Sequence, residues 1–182
     1  EHLEFYSYPS LKYLFEKNGL KIMKIEENEI NGGSYRIFCK KNIKKSITYK
    51  ENTSLKDIKR FIKRVKKNKK ACINFLKRSK IDKKKVFIYG ASTKGNTLLQ
   101  YYGINSKIIP YASERSPEKW GKYTINTGLK IISEQNARKI NPDYFFVMPY
   151  AFIKEFIKRE KKWIKGGGKF ILPYPNFKIV NK

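Results

Sequence analysis

The sequence has little of what metal sites and membrane spans require. It contains two cysteines, Cys39 and Cys72, and a single histidine, His2. These residues are too few, and lie in too many different segments, to form a zinc or iron–sulfur site. No apolar run approaches the roughly 18 residues of a membrane helix, and no secretory signal opens the chain. We therefore expect a cytoplasmic protein with free thiols, no bound metal and no membrane contact.

Acidic residues are also scarce, with 15 Asp and Glu against 42 Lys and Arg and a net charge of +27. A charge of this size raises nucleic-acid binding as a function. The basic residues, however, are 35 lysines and only 7 arginines, and sequence-specific nucleic-acid proteins depend on the planar fork of arginine. The densest basic segment, 56–85, also carries an apolar stripe, so we expect its charges on the outer face of a helix. Nucleic acid is therefore the least favoured of the partners that the sequence leaves open.

The chain is long enough for one core with an appended part: it has 182 residues, of which 40% are hydrophobic. The first part predicts a short helix and then a hairpin with strands at 20–25 and 34–39. A long helix is predicted from Ser54, with Asp57 three residues later as the partner of a capping box. From Val86 onward, strands and helices alternate, which indicates a parallel sheet with right-handed crossovers. The sequence thus predicts an α/β fold, a Rossmann-like parallel sheet with flanking helices, preceded by a helix and a β-hairpin.

The carboxyl edge of this sheet is where we expect a ligand, because ligands of open α/β sheets bind beyond the carboxyl ends of the strands. Gly90, Glu114 and Pro149 all follow predicted strands and fall on that edge. The predicted strands are 86–89, 108–112, 144–148 and 169–172, and the predicted helices are 93–102, 134–140 and 152–164.

The turn from Gly90 to Asn96 is the most informative stretch of the chain. An apolar strand enters it, and a helix begins near Thr93, so unpaired N–H groups and the positive end of the helix dipole are available to an anion. Glycine at both ends allows a sharp turn close to a phosphate, and Lys94 adds a positive charge. The turn predicts a phosphate site, with a tight strand-to-helix connection that binds nothing as the alternative.

The same turn falls between two known motifs. Gly90, Ser92 and Gly95 occupy the glycine positions of the dinucleotide fingerprint, so the middle glycine is missing. Asn96 stands where a P-loop has its phosphate-binding lysine, which argues against an NTPase with bound magnesium. Glu114 stands about where a ribose-binding acid belongs, and its alternative is a solvated loop carboxylate.

Five separated blocks of the chain together resemble one family, the SAM-dependent sugar C-methyltransferases. Enzymes of that family add a methyl group to a ring carbon of a nucleotide-linked keto-sugar. The blocks are Glu1-His2-Leu3 with Phe5-Tyr6-Ser7, Gly32-Gly33-Ser34-Tyr35-Arg36, Gly90-Ala91-Ser92-Thr93-Lys94-Gly95-Asn96, Arg115-Ser116-Pro117-Glu118-Lys119-Trp120-Gly121, and Gly167-Gly168-Lys169-Phe170 with Phe152 and Glu155 before it. The sequence departs from the family at Tyr150-Ala151, where the family usually has Trp followed by His or Asn.

The resemblance implies a division of the chain and a missing partner. Residues 1–41 correspond to the last elements of the methyltransferase domain, 42–53 to a connector and 54–182 to the C-terminal Rossmann-like domain. The SAM-binding sheet and the zinc-binding segment of the family lie upstream of the Glu-His pair. The first residue, Glu1, is not methionine, and we expect this chain to be a piece of a longer protein. We expect it not to bind S-adenosyl-L-methionine (SAM) and not to be active without the missing N-terminal half.

The resemblance also implies roles for individual residues. His2 falls at the family's catalytic base, and Glu1 would orient its ring. A histidine with a pKa near ~6.5 is suited to removing the proton beside a sugar carbonyl. The residues expected to bind the nucleotide-sugar are Ser34, Arg36, Gly90, Ser92, Thr93, Lys94, Gly95, Asn96, Glu114, Arg115 and Lys119.

Two other functions remain open at this point. One is a stand-alone Rossmann-like nucleotide-binding module that uses, for example, a nicotinamide cofactor, against which the missing middle glycine counts. The other is a basic nucleic-acid-binding protein, which would need a face rich in arginine or interleaved with aromatic residues.

Overall fold

The computed structural model describes residues 4–30, 33–51 and 54–181. The chain divides into two compact units, Glu1–Ile58 and Lys59–Lys182. The predicted division into 1–41, 42–53 and 54–182 stays a prediction.

The first unit contains one helix and a hairpin, as predicted. The helix α1 spans Tyr8–Lys17, and the antiparallel strands β1 and β2 span Lys21–Asn28 and Ser34–Lys40. Strand β1 is longer than the predicted segment 20–25, because the backbone ladder continues past the apolar residues and pairs Asn28 with Ser34. A two-stranded sheet has little core of its own.

The long helix α2 spans Leu55–Ile81 and begins with the predicted capping box. The N–H of Ser54 donates to Asp57 Oδ2 (3.0 Å), and the N–H of Asp57 donates to Ser54 Oγ (3.2 Å). Only the second half of the predicted apolar face is buried, at Cys72 and Leu76. The apolar residues of the first half, Leu55, Ile58, Phe61 and Ile62, are exposed.

The second unit is built on a six-stranded sheet with the order β5-β4-β3-β6-β7-β8. The strands are β3 (Val86–Tyr89), β4 (Tyr111–Glu114), β5 (Lys130–Ser133), β6 (Tyr144–Val147), β7 (Lys169–Leu172) and β8 (Lys178–Val180). All pairings are parallel except that of the edge strand β8. This arrangement confirms the predicted Rossmann-like fold.

Helices cover both faces of this sheet, and the two cores are separate. Helix α3 (Thr93–Tyr102) shares one cluster with α2, and helices α4 (Glu134–Ile140), α5 (Ile153–Arg159) and α6 (Lys161–Lys165) supply the other. Because side chains alternate along a strand, Ile88 packs in the first cluster while Phe87 and Tyr89 pack in the second.

Two sequence predictions for this unit need correction, and two strands were missed. The strand predicted at 108–112 lies at Tyr111–Glu114, because Ile108 and Ile109 form a turn in which both N–H groups bond to Asn105 O. The helix predicted at 152–164 is interrupted at Glu160, whose buried side chain points into the protein. The short strands β5 and β8 were not predicted.

The order of the strands defines a switch point between β3 and β6. From β3 the chain adds β4 and β5 on one side, and β6 and β7 extend the sheet on the other. In open α/β sheets the crevice at such a point is the usual ligand site.

Candidate functional site

A pocket of about 290 Å³ opens at the switch point, on the carboxyl edge of the sheet. Its walls come from the ends of β3 and β4, the turn after β6 and helices α4 and α5. The lining residues are Tyr89, Gly90, Ser92, Ser113, Glu114, Arg115, Lys119, Glu134, Pro149, Phe152, Glu155, Phe156 and Arg159. Gly90, Glu114 and Pro149, predicted to share this edge, are thus together.

Gly90 and Gly95, the two glycines of the turn, are required for different structural reasons. Gly90 has a φ of +89°, which favours glycine, and a Cβ there would lie 3.0 Å from Pro149 Cδ. At Gly95 a Cβ would lie 2.8 Å from Met148 Cβ, so glycine at this position lets helix α3 pack closely on the end of β6. The N–H of Gly95 is used within the helix start, because it donates to the capping Ser92 Oγ (3.0 Å).

Thr93, Lys94 and Asn96 are not among the residues that line the pocket. Asn96 Nδ2 donates to Ile125 O (3.0 Å), and its Oδ1 accepts from Thr127 Oγ1 (2.8 Å), so Asn96 holds the loop between β4 and β5. Thr93 and Lys94 are exposed at the start of α3 and are not among the lining residues. Substrate contact by these three residues stays a prediction.

Glu114 connects the two loops at the mouth of the pocket. Its Oε2 accepts from the N–H of Ala91 (2.9 Å), and its Oε1 accepts from the N–H groups of Arg115 (2.8 Å) and Ser116 (3.1 Å). Lys119 Nζ lies 3.7 Å from Glu114 Oε2 and donates to Ala91 O (3.3 Å). Both carboxylate oxygens therefore have partners in the protein, and the predicted ribose contact of Glu114 remains a prediction.

Ser113 is a pocket residue that sequence reasoning missed. It is 2% exposed, and its Oγ is the buried side-chain polar atom that has no hydrogen-bond partner in the described part of the chain. An unsatisfied buried hydroxyl costs about 1–3 kcal/mol. Its position at the end of β4, where a parallel strand meets the ligand edge, was the available signal.

A network of charged residues lies beneath the pocket, on the α5 face of the sheet. Arg138 donates from Nε to Glu160 Oε2 (2.9 Å) and from Nη2 to Glu160 Oε1 (2.5 Å), and Tyr89 OH donates to the same Oε1 (2.8 Å). Arg159 Nη2 donates to Tyr89 OH (2.6 Å) and to Glu134 Oε1 (2.9 Å). The network thus holds the guanidinium of Arg159 at the pocket wall.

Within this network, Glu160 and Arg138 are held in their ionised forms, and Tyr89 is held in its protonated form. Burial by itself would raise the pKa of Glu160, but the hydrogen bonds from Arg138 and Tyr89 outweigh it and hold that pKa below its usual value. The same contact with Glu160 raises the pKa of Arg138, and burial raises the pKa of Tyr89. Sequence reasoning missed the network because its members come from separate elements.

Ser34 and Arg36, the predicted site residues that the structure describes in the first unit, are not among the residues that line the pocket. Ser34 Oγ donates to Ile30 O (2.9 Å), and Arg36 Nη1 lies 3.5 Å from Glu26 Oε2. His2 and Glu1 lie outside the described residues. Their roles toward a substrate stay predictions.

Residues 4–30, 33–51 and 54–181 contain no group of three or more His, Cys, Asp or Glu placed to hold a metal ion. Within the same ranges, no helix is sufficiently long and apolar to cross a membrane.

The fold defines a Rossmann-like domain with a pocket at its switch point, and comparison with known proteins gives its family. Residues 29–175 match the family described as the C-methyltransferase C-terminal domain, and the chain belongs to this family. The chain is also 27% identical over 197 residues to C-methyltransferase NovU of Streptomyces niveus, a match covering 100% of this chain and 46% of that protein. It thus spans about half the length of this relative. The resemblance to C-methyltransferases is confirmed at this level.

Proposed function

We propose that this chain is the C-terminal part of a SAM-dependent C-methyltransferase that acts on a nucleotide-linked keto-sugar. In this role the second unit helps to hold the nucleotide-sugar. The observation that carries the proposal is the pocket at the switch point, with Lys119 at its mouth and the Ser92-capped start of α3 beside it. A lysine and the N-terminus of a ten-residue helix together favour a phosphoryl group.

The chemistry of C-methylation requires a base, which we assign to the first unit. A methyl group attached to carbon requires a carbanion equivalent, which a keto-sugar provides when a base removes the proton beside its carbonyl. The electron pair of the broken C–H bond then forms an enolate, with its charge on oxygen. We assign this proton to His2, with Glu1 as the residue that orients the imidazole, on the resemblance of the Glu1-His2-Leu3 block.

SAM would supply the methyl group, and the pocket of this chain fits it poorly. The carboxylate of Glu114, where a Rossmann fold has its ribose-binding acid, is already bonded to backbone N–H groups. We therefore assign SAM to the half of the enzyme that the family has upstream, and expect this chain to be inactive alone.

Lys119→Ala is expected to weaken binding of thymidine diphosphate roughly tenfold or more, because a charge-assisted contact to phosphate is lost. Isothermal titration at ~0.15 M and ~0.5 M salt measures this, because binding that depends only on the charge of +27 disappears at high salt. Titration with SAM is expected to give no heat.

Lys94→Ala is the matched control, because it removes the same charge from a residue that is exposed outside the pocket lining. We expect it to change the affinity less than Lys119→Ala. A larger loss in Lys94→Ala would place the diphosphate outside the pocket, on the outer side of the turn. Heat that vanishes at high salt in the unsubstituted protein would contradict the proposed function.

A further inference from the structure

The hydroxyl of Ser113 is a buried hydrogen-bonding group at the pocket that no described residue satisfies. Ser113 lines the pocket, is buried and has no hydrogen-bond partner for Oγ within the described residues. Its neighbour Ala112 packs in the α2–α3 cluster, so by strand alternation Ser113 faces the α5 side of the sheet, as Tyr89 does. A hydroxyl can donate one hydrogen bond and accept two, and buried polar groups in native proteins are nearly always paired.

The two ends of the pocket differ in charge. At the α3 end, Lys119 lies beside Glu114, whose carboxylate is occupied by backbone N–H groups. At the α5 end, Arg159 Nη2 bonds to Glu134 Oε1 (2.9 Å), and its Nη1 lies 3.9 Å from Glu155 Oε1. Arg138 also pairs with Glu134 (3.1 Å) and with Glu160 (2.5 Å), so two guanidinium groups and three carboxylates meet there. The side chain of Glu155 is 58% exposed, so its oxygens are accessible to a ligand.

A hydroxyl group suits the α5 end better than an anion does. Three carboxylates with two guanidinium groups leave a net negative charge that would repel a phosphoryl group, whereas a hydroxyl donates to a carboxylate and accepts from a guanidinium or from Ser113. The α3 end, with a lysine and a saturated carboxylate, favours the phosphoryl group. The charge of the lining side chains therefore differs between the α3 end and the α5 end of the pocket.

We propose that the α5 end of the pocket binds hydroxyl groups of a sugar ring, with Ser113 and Glu155 as hydrogen-bond partners, while the phosphoryl group attached to that ring lies at Lys119. This assignment rests on the proposed function and adds the orientation of the ligand to it. Phe152 is 58% exposed and lines the same end, where its ring covers the apolar face of the sugar. The ring is the pentose or the hexose of the nucleotide-sugar, which share this chemistry.

Isothermal titration of Ser113→Ala with thymidine diphosphate, dTDP-glucose and inorganic pyrophosphate tests the assignment. We expect about 3- to 10-fold weaker binding of the ligand whose ring occupies the α5 end, and pyrophosphate binding within about twofold of the unsubstituted protein. If the ring is the hexose, only dTDP-glucose weakens; if it is the pentose, both nucleotides weaken. Glu155→Gln is expected to show the same pattern, and Ser116→Ala, whose hydroxyl bonds to Glu118 outside the pocket, is the control.

The thermal midpoint of the free protein separates ligand binding from a structural role. Ser113→Ala removes a hydroxyl that makes no bond in the free protein, so its midpoint is expected not to fall. A lower midpoint with an equal loss for all three ligands would overturn the assignment, and so would unchanged binding of both nucleotides in both variants. If the unsubstituted protein binds none of the three, the proposed function fails and the assignment with it.

Discussion

Glu160→Gln is expected to lower the free energy of unfolding of the Lys59–Lys182 unit by about 3 kcal/mol at neutral pH. Glu160 is 2% exposed and accepts from Arg138 and from Tyr89, so glutamine would leave a guanidinium beside a neutral amide. The value lies at the lower end for a buried pair, because the side chain of Arg138 is 39% exposed. Both tryptophans, Trp120 and Trp163, belong to this unit, so their fluorescence in urea reports its unfolding.

The difference in free energy of unfolding between Glu160→Gln and the unsubstituted protein is also expected to depend on pH. The folded-state pKa of Glu160 is lowered, so its contribution is complete above the unfolded pKa of about 4.3 and is lost as the pH falls through the folded value. We expect the gap between Glu160→Gln and the unsubstituted protein to narrow below about pH 4. Glu118→Gln, at an exposed carboxylate, is expected to stay within about 0.5 kcal/mol. A gap that is constant down to pH 3 would contradict an ionised Glu160.

Gly95→Val is expected to destabilise the same unit by about 2 kcal/mol, because the new side chain must displace helix α3 from the end of β6. A Cβ at Gly95 would lie 2.8 Å from Met148 Cβ and 2.9 Å from Met148 Cε, and Met148 is 1% exposed. Urea unfolding followed by tryptophan fluorescence measures the change.

Thr97→Val is the control for Gly95→Val, because it places the same β-branched side chain on an exposed position of the same helix. Helix propensity does not account for the expected loss, because valine is a better helix former than glycine. The control shows what valine does on this helix where it meets no buried neighbour. Equal destabilisation by the two variants would mean that Gly95 has no packing role against Met148.

The elements with complete local signals were predicted at their true bounds. Strand β3 is an apolar run. Helix α3 begins after a capping serine, Ser92, and ends before a glycine, Gly103, in the left-handed conformation. Strands β5 and β8 lack such signals, because each is a short stretch that follows glycines or prolines typical of a loop. They are defined by their pairing with β4 and β7 in the folded sheet.

The site was predicted where topology alone decides it. Gly90 follows β3, and Glu114 is the last residue of the neighbouring parallel strand β4, so the order of elements brings them to one edge. The buried network could not be predicted, because no sequence spacing connects Tyr89 of β3 with Arg138 of α4 and with Glu160 at the end of α5. In the sequence, Glu160 is one polar position in an amphipathic pattern. The interruption between α5 and α6 that turns its side chain inward is not marked by a glycine or a proline.

Amide chemical-shift mapping with thymidine diphosphate tests the central claim, that the pocket of the second unit holds the nucleotide. We expect saturable shifts at Gly90, Ser92 and Ser113, on the loop of Lys119, and at the turn after β6, with little change along the basic face of α2. Shifts spread over the lysines of α2 or confined to the β1–β2 hairpin would contradict the claim.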